Sequence, residues 1–246
     1  MQGSDNLRQD SAGSIRVPPV YYRGAPYDHS RPEAVQTFYE KRLGMPAFVV
    51  PRPDDAGGRL DLNVYAPTSG RPFWVAATVG MSGRAMNVPP QAWRTGTPVH
   101  AELVALLPRN TFAGRGGHRS DADLALPEAW PMRFVRMLAD MPRRLDGWLD
   151  YGHTIPAPDP AEAGEFHGAV MMPPIGLFAK KDHTIQAPED APIRLLSPVF
   201  LHLDEMEYQT RHGFPALAHL LQDRGVTALL RPHRWSVVAN PWWRFW

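Results

Sequence analysis

Proline limits the length of every element this chain can form. Its 246 residues include 27 prolines and 20 glycines. Proline removes a backbone donor and fixes φ, so it ends helices and stays out of central strands. The share of these two residues is above the ordinary level but short of the roughly 25–30% that marks low-complexity sequence. A globular fold of short elements joined by many turns is expected. The length suits one large domain or two small ones, and a compact chain of this size buries roughly 70–75% of its unfolded surface.

The runs between the breaks can be read in turn. Ser30, Arg31, Pro32 and Glu33 have the pattern of a capping box, and Val35, Phe38, Tyr39 and Leu43 recur at helical spacing up to Gly44. Leu60, Leu62 and Val64 alternate with Asp61, Asn63 and Tyr65, and Phe73 to Val79 follows Gly70 and Pro72, which predicts two strands joined by a turn. Val99 to Leu107 reads as a third strand, with His100 and Glu102 on one face. The polar stretch from Arg109 to Glu128 reads as a surface insertion. Trp130, Phe134, Met137, Leu138 and Met141 trace one face of a helix expected to stop before Pro142. Phe166 to Met172 and Leu195 to Leu203 are further strands. Asp204 is placed to cap a helix that breaks at Gly213 and Pro215 and continues through Leu217, Leu220 and Leu221 to Gly225. Strands come in runs without strict βα alternation, which predicts an α+β fold. The expected organisation is an extended tail over 1–30, one domain over 31–240 and an aromatic tail over 241–246.

Several chemistries are excluded. The chain has no cysteine, hence no disulfide, thiolate metal site or catalytic thiol. A formal net charge of +1 gives no global attraction to nucleic acid or an anionic membrane. Of the 26 basic residues, only Lys41, Lys180 and Lys181 are lysine, an arginine bias that reads as codon usage. Met1 to Gly13 lack the apolar core of a signal peptide, and no run reaches the roughly 20 apolar residues of a membrane span, so a soluble cytoplasmic protein is expected.

Individual motifs remain weak. Gly80, Met81, Ser82, Gly83 end a strand, but Arg84 stands where a nucleophile elbow needs glycine. The ten histidines show no metal-ligand spacing. His153, in a turn after Trp148 and Tyr151, is the one that stands out. Glu205 and Glu207 point to different sides of a helix and read as helix-start charges. Gly114 to Gly117 lack the lysine and serine or threonine of a phosphate loop, although Arg115 and Arg119 could touch an anion. The acidic stretch over residues 121–165, nine acids against four bases, is a solvated surface or a site for a basic partner.

The order of motifs says more. Trp74, Val75, Thr78, Val79, Gly80, Met81, Ser82 and Met86 are followed by Ala101, Glu102, Leu103, Leu107 and Pro108, then by Trp130 and Pro131. Trp148, Leu149, Gly152, His153, Thr154, Ile155, Pro173, Pro174, Pro198, Glu205 and Gly213 complete a series that resembles the suppressor of fused domain family in its bacterial branch. The resemblance runs from about Ala34 to about Val238. It implies a mixed, largely antiparallel sheet flanked by helices, and protein binding without catalysis or cofactor. It covers only the amino-terminal domain of the eukaryotic members, which sequester transcription factors. Bacterial members are inferred to be immunity proteins, so the implied partner is a polymorphic toxin or its toxic domain. The residues expected to bind or support the partner are Met81, Ser82, Arg84, Glu102, Trp148, His153 and Thr154; no catalytic or metal residues are assigned. Two rival readings stay open. One is a regulator or scaffold that sequesters a cellular partner. The other is an enzyme using Ser82, Glu102 or His153, for which the test is whether the fold brings those side chains within hydrogen-bond reach in one pocket.

Overall fold

The computed structural model describes residues 27–52, 58–112, 130–159, 164–187 and 191–238, with the backbone of a short antiparallel pair, β1 (Arg8–Gln9) and β2 (Ile15–Arg16). The glycine-rich part of the insertion, with Arg115 and Arg119, and the aromatic tail lie outside the described residues.

The helices are α1 (Ser30–Leu43), α2 (Pro90–Arg94), α3 (Trp130–Arg144), α4 (Leu203–His212) and α5 (Phe214–Asp223). The strands are β3 (Phe48–Val50), β4 (Asp61–Tyr65), β5 (Trp74–Val79), β6 (His100–Leu107), β7 (Thr154–Pro156), β8 (Gly168–Met172), β9 (Thr184–Ile185) and β10 (Ile193–Leu201). They form one sheet in the order β3-β4-β5-β6-β10-β8-β7, with β9 also on β10. Only β6 and β10 pair in parallel. This is the expected mixed, largely antiparallel sheet.

Both faces of the sheet are covered, so its central strands are buried throughout rather than alternating. On one face Met132, Phe134, Val135 and Leu138 of α3 pack on Leu62, Ala76, Leu103, Leu196 and Phe200. On the other, Val35 and Tyr39 of α1 and Leu217 and Leu221 of α5 cover Tyr65, Val75, Val104, Leu195 and Val199. Asn63, 2% exposed, keeps its amide satisfied beneath α1 by donating to Gln36 Oε1 at 2.8 Å.

The parallel pairing of β10 with β6 ends at Leu196↔Leu103, two residues before Pro198, which has no N–H to give. The carbonyls of β6 beyond that point are met by other donors: Ser197 Oγ to Val104 O at 2.6 Å and Leu230 N–H to Leu106 O at 2.9 Å. The carboxyl-terminal segment thus takes the place of a strand.

Three local expectations need correction. Ser30 does not cap α1; Asp28 does the equivalent work, accepting from the Ser30 N–H and Oγ at 2.9 and 2.6 Å. Helix α3 runs through Pro142 to Arg144. Proline there removes one hydrogen bond in the final turn, where little helix remains to be broken. Helix α4 begins at Leu203, with His202 as the capping residue and its N–H on Glu205 Oε2 at 2.9 Å, rather than at Asp204.

Candidate functional site

Strand directions bring the singled-out loops to one end of the sheet: the end of β5, the starts of β6, β7 and β10, and the end of β8. Chain reversal after β5 depends on Gly80, whose φ is 117° and where an added Cβ would lie 2.1 Å from the Arg59 carbonyl oxygen. A 3₁₀ turn at Met81–Gly83 follows.

Glu102 holds this turn from inside the sheet. The β5–β6 ladder stops at Ala77↔Val104. Beyond it the Thr78 hydroxyl accepts the Leu103 N–H at 2.7 Å and donates to Glu102 Oε2 at 2.6 Å. Glu102 Oε1 accepts from the N–H groups of Gly80 and Ser82, each at 2.9 Å, and from Ser82 Oγ at 2.6 Å. Glu102 and Ser82 are both 0% exposed. Burial raises the Glu102 carboxyl above its ordinary range against the pull of these donors.

His100, on the same strand, donates from Nδ1 to the Ser82 carbonyl at 2.7 Å. Burial and then the nearby Arg31 charge lower it to about 4. Tyr27 closes the turn from outside, its ring seated where a side chain at Gly58 or Gly83 would be and its hydroxyl donating to Arg59 O at 2.9 Å. Burial pushes that phenol up to about 12. The Arg84 guanidinium lies 5.7 Å from the Tyr27 ring centroid.

The second loop is tied to the first. Asn87 donates its N–H to Gly147 O at 3.0 Å and its amide to Asp146 O at 3.1 Å. Asp150 fastens this loop to the sheet by accepting from Arg194 Nη1, from Thr97 Oγ1 at 2.5 Å and from the Tyr151 N–H at 2.8 Å. The Arg194 guanidinium stacks 4.8 Å over the Tyr151 ring. Trp148 and His153 meet edge to face at 5.1 Å, and Thr154 Oγ1 reaches Gln209 Oε1.

The seven expected residues therefore divide. Met81, Ser82 and Glu102 lie inside and frame the turn, whereas Arg84, Trp148, His153 and Thr154 are partly exposed. Ser82 and Glu102 do bond to each other, but the site is closed to solvent, and His153 packs on Trp148 and shares no hydrogen bond with either. The constellation required by an enzyme using all three is not assembled. Glu205, expected as a helix-start charge, is fully buried and paired with Arg234.

Sequence reasoning missed Tyr27, Asp150, Arg194 and two large apolar groups exposed on the loops at this end, Leu145 at 71% and Ile175 at 50%. Only Leu145, apolar beyond the proline of α3, carried a local signal. Among the described residues no three His, Asp or Glu side chains converge as a metal site, and no helix is long and apolar enough to cross a membrane.

Comparison with known proteins gives the same architecture. A suppressor of fused homolog from Neisseria gonorrhoeae superposes with a TM-score of 0.56 at 14% identity, covering 87% of this chain and 98% of that one. The chain solved in the Sufu–Fu complex gives 0.55 at 13%, covering 87% and 93%. Drosophila Suppressor of Fused gives 0.55 at 14%, covering 86% of this chain and 52% of that one, so this chain spans about half of the fly protein's length. No curated protein matches it in sequence. The sequence pattern of the suppressor of fused protein family matches residues 58–235, from the glycine under Tyr27 to the tryptophan after Arg234, and the chain belongs to that family.

Proposed function

We propose that this chain is a non-catalytic protein-binding module, acting in the cytoplasm as one domain over residues 31–240, and that it neutralises a bacterial toxin by direct contact. Family membership carries the binding part of the reading, since one solved relative is a Sufu chain in complex with Fu, another protein. The toxin part rests on the resemblance to the bacterial branch. The loop end supplies a suitable surface. Leu145 and Ile175 are exposed, and Arg84, Trp148 and His153 partly exposed, on the loops of this end, where Glu102 braces the Gly80–Gly83 turn and Asp150 the loop of Trp148. Aromatic and arginine anchors on a rigid frame are what tight interfaces use, over about 800 Å² per partner.

The test is an affinity pull-down of the tagged chain from its own strain's lysate, followed by mass spectrometry and growth rescue on co-expression. The expected result is one toxin, or its toxic domain, retained by the wild type and lost at least tenfold in a Leu145→Asp/Arg84→Glu variant of unchanged stability. Retention of a housekeeping protein instead would replace the toxin with a cellular partner. Turnover of a small molecule with no protein retained would overturn the binding reading.

A further inference from the structure

The opposite end of the sheet carries a cleft of about 450 Å³ whose walls include Glu165, His202, Asp204, His233, Trp235 and Ser236. Its floor is fixed by Glu205. That carboxylate, fully buried, accepts from the N–H groups of His202 and Val237 at 2.9 and 2.8 Å and from Arg234 Nη1 and Nη2 at 2.6 and 2.5 Å. Arg234 Nη2 also donates to Phe200 O at 2.7 Å, and Ser236 Oγ donates to Asp204 Oδ2 at 2.7 Å. Trp235 thus sits between two pinned residues and is nevertheless 78% exposed; Leu203, beside Asp204, is 51% exposed. A large aromatic held in solvent on a rigid segment is the form of a binding anchor, not of a loose end.

Charge then selects the ligand. Glu205 and Arg234 cancel each other. Among the described residues neither Glu165 nor Asp204 is paired with lysine or arginine: Glu165 Oε1 meets the His233 ring at 2.9 Å, and Asp204 accepts only the Ser236 hydroxyl and the Glu205 N–H. Two carboxylates that meet no lysine or arginine among the described residues thus line the cleft together with the indole. They repel phosphate, which disfavours nucleic acid and anionic lipid. They favour a cation on a long stem, able to lie over an aromatic face within about 6 Å of its centre.

We propose that this cleft receives an arginine or lysine side chain of a basic segment on a partner protein, the cation stacking on Trp235 between Glu165 and Asp204. This surface is separate from the loop end and would exist whichever partner binds there.

The test is a titration of the full chain, at pH 8 and low salt, with an amino-acetylated, carboxy-amidated hexa-arginine peptide, followed through the tryptophan indole N–H signals in nitrogen–proton NMR spectra. The Trp235 signal is identified by its loss in Trp235→Phe. It is expected to shift saturably, with affinity about fivefold weaker in Glu165→Gln, the effect of one exposed charge contact, and with no shift from hexaglutamate. The remaining indole signals report that the variant is folded. A Trp235 signal that stays in place while other signals move, or equal affinity in Glu165→Gln, would overturn the proposal.

Discussion

Truncating Glu102 is expected to separate the two consequences of burying a carboxyl under the Gly80–Gly83 turn. In Glu102→Ala the N–H groups of Gly80 and Ser82 lose their acceptor, and the strained turn leaves them no direction in which to find another. Each stranded buried donor costs about 1–3 kcal/mol. The hydroxyls of Thr78 and Ser82 can rotate, so they add less. With the space left by the side chain, the total is about 3–6 kcal/mol, a large part of the roughly 5–15 kcal/mol by which a domain is stable. Glu102→Gln keeps an oxygen for the three donors at Oε1. Its amide N–H₂ then faces Thr78 Oγ1, which can accept it and turn its own proton toward Leu103 O, 3.4 Å away. A loss of about 0–1.5 kcal/mol is expected. The assay is urea unfolding by far-UV circular dichroism, repeated across pH. Burial holds the folded carboxyl above its ordinary 4.5, so the folded chain keeps that proton more tightly than the unfolded one. This contribution is full below 4.5 and is lost as pH rises through the folded value. Glu102→Gln has no such proton, so the wild type should lose ground to it as pH rises. The reasoning is refuted if Gln destabilises as much as Ala, or if the gap between wild type and Gln does not move in that direction.

His100 should show the opposite slope: its folded value of about 4 lies below the ordinary 6.5, so stability is present above 6.5 and falls as pH drops toward 4. A His100→Gln chain should lack that slope in thermal melts, and the imidazole signal in NMR should titrate near 4. Arg234→Met strands the buried Glu205 charge and should cost about 3–5 kcal/mol in urea unfolding, most of it recovered in Glu205→Met/Arg234→Met. Gly225→Ala, at φ 65° with open space around the added Cβ, should cost about 1–2 kcal/mol, while Gly80→Ala, aimed at the Arg59 carbonyl, should leave little folded protein by the same assay.

Much of the frame could be read from the chain. Strands between prolines and the apolar faces of α1 and α3 depend on neighbours within a few positions, and periodicity reports such neighbours directly. What escaped depends on distant partners. Glu205 reads as a helix-start charge until Arg234, 29 residues on, arrives to bury it. Asp150 owes its importance to Arg194, 44 residues away, and to Thr97, 53 away. Ser82 and Glu102, to which the order of motifs points, lie fully buried, a depth that local spacing does not report. A recurring pattern shows where the fold tolerates little change, and a buried hydrogen-bonded turn is as demanding as a contact surface.

The two buried glutamates also explain why one frame can present different surfaces at its two ends. Each gathers backbone N–H groups at an end of the sheet: Gly80 and Ser82 of one turn for Glu102, and His202 and Val237 of two separate segments for Glu205. They differ in neutralisation. Glu205 is matched by the Arg234 guanidinium, whereas the donors on Glu102 are all neutral. Removing one member of a buried ion pair strands the charge of the other, so the segment under Trp235 depends on Arg234 and Glu205 together. At Glu102 burial raises the carboxyl and only neutral donors oppose that rise, so the turn it holds depends on hydrogen bonds alone. In both cases the side chains facing water are outside these networks. Leu145, Ile175, Glu165 and the Trp235 indole can therefore change with the partner while the carboxylates, their donors and the sheet remain as they are.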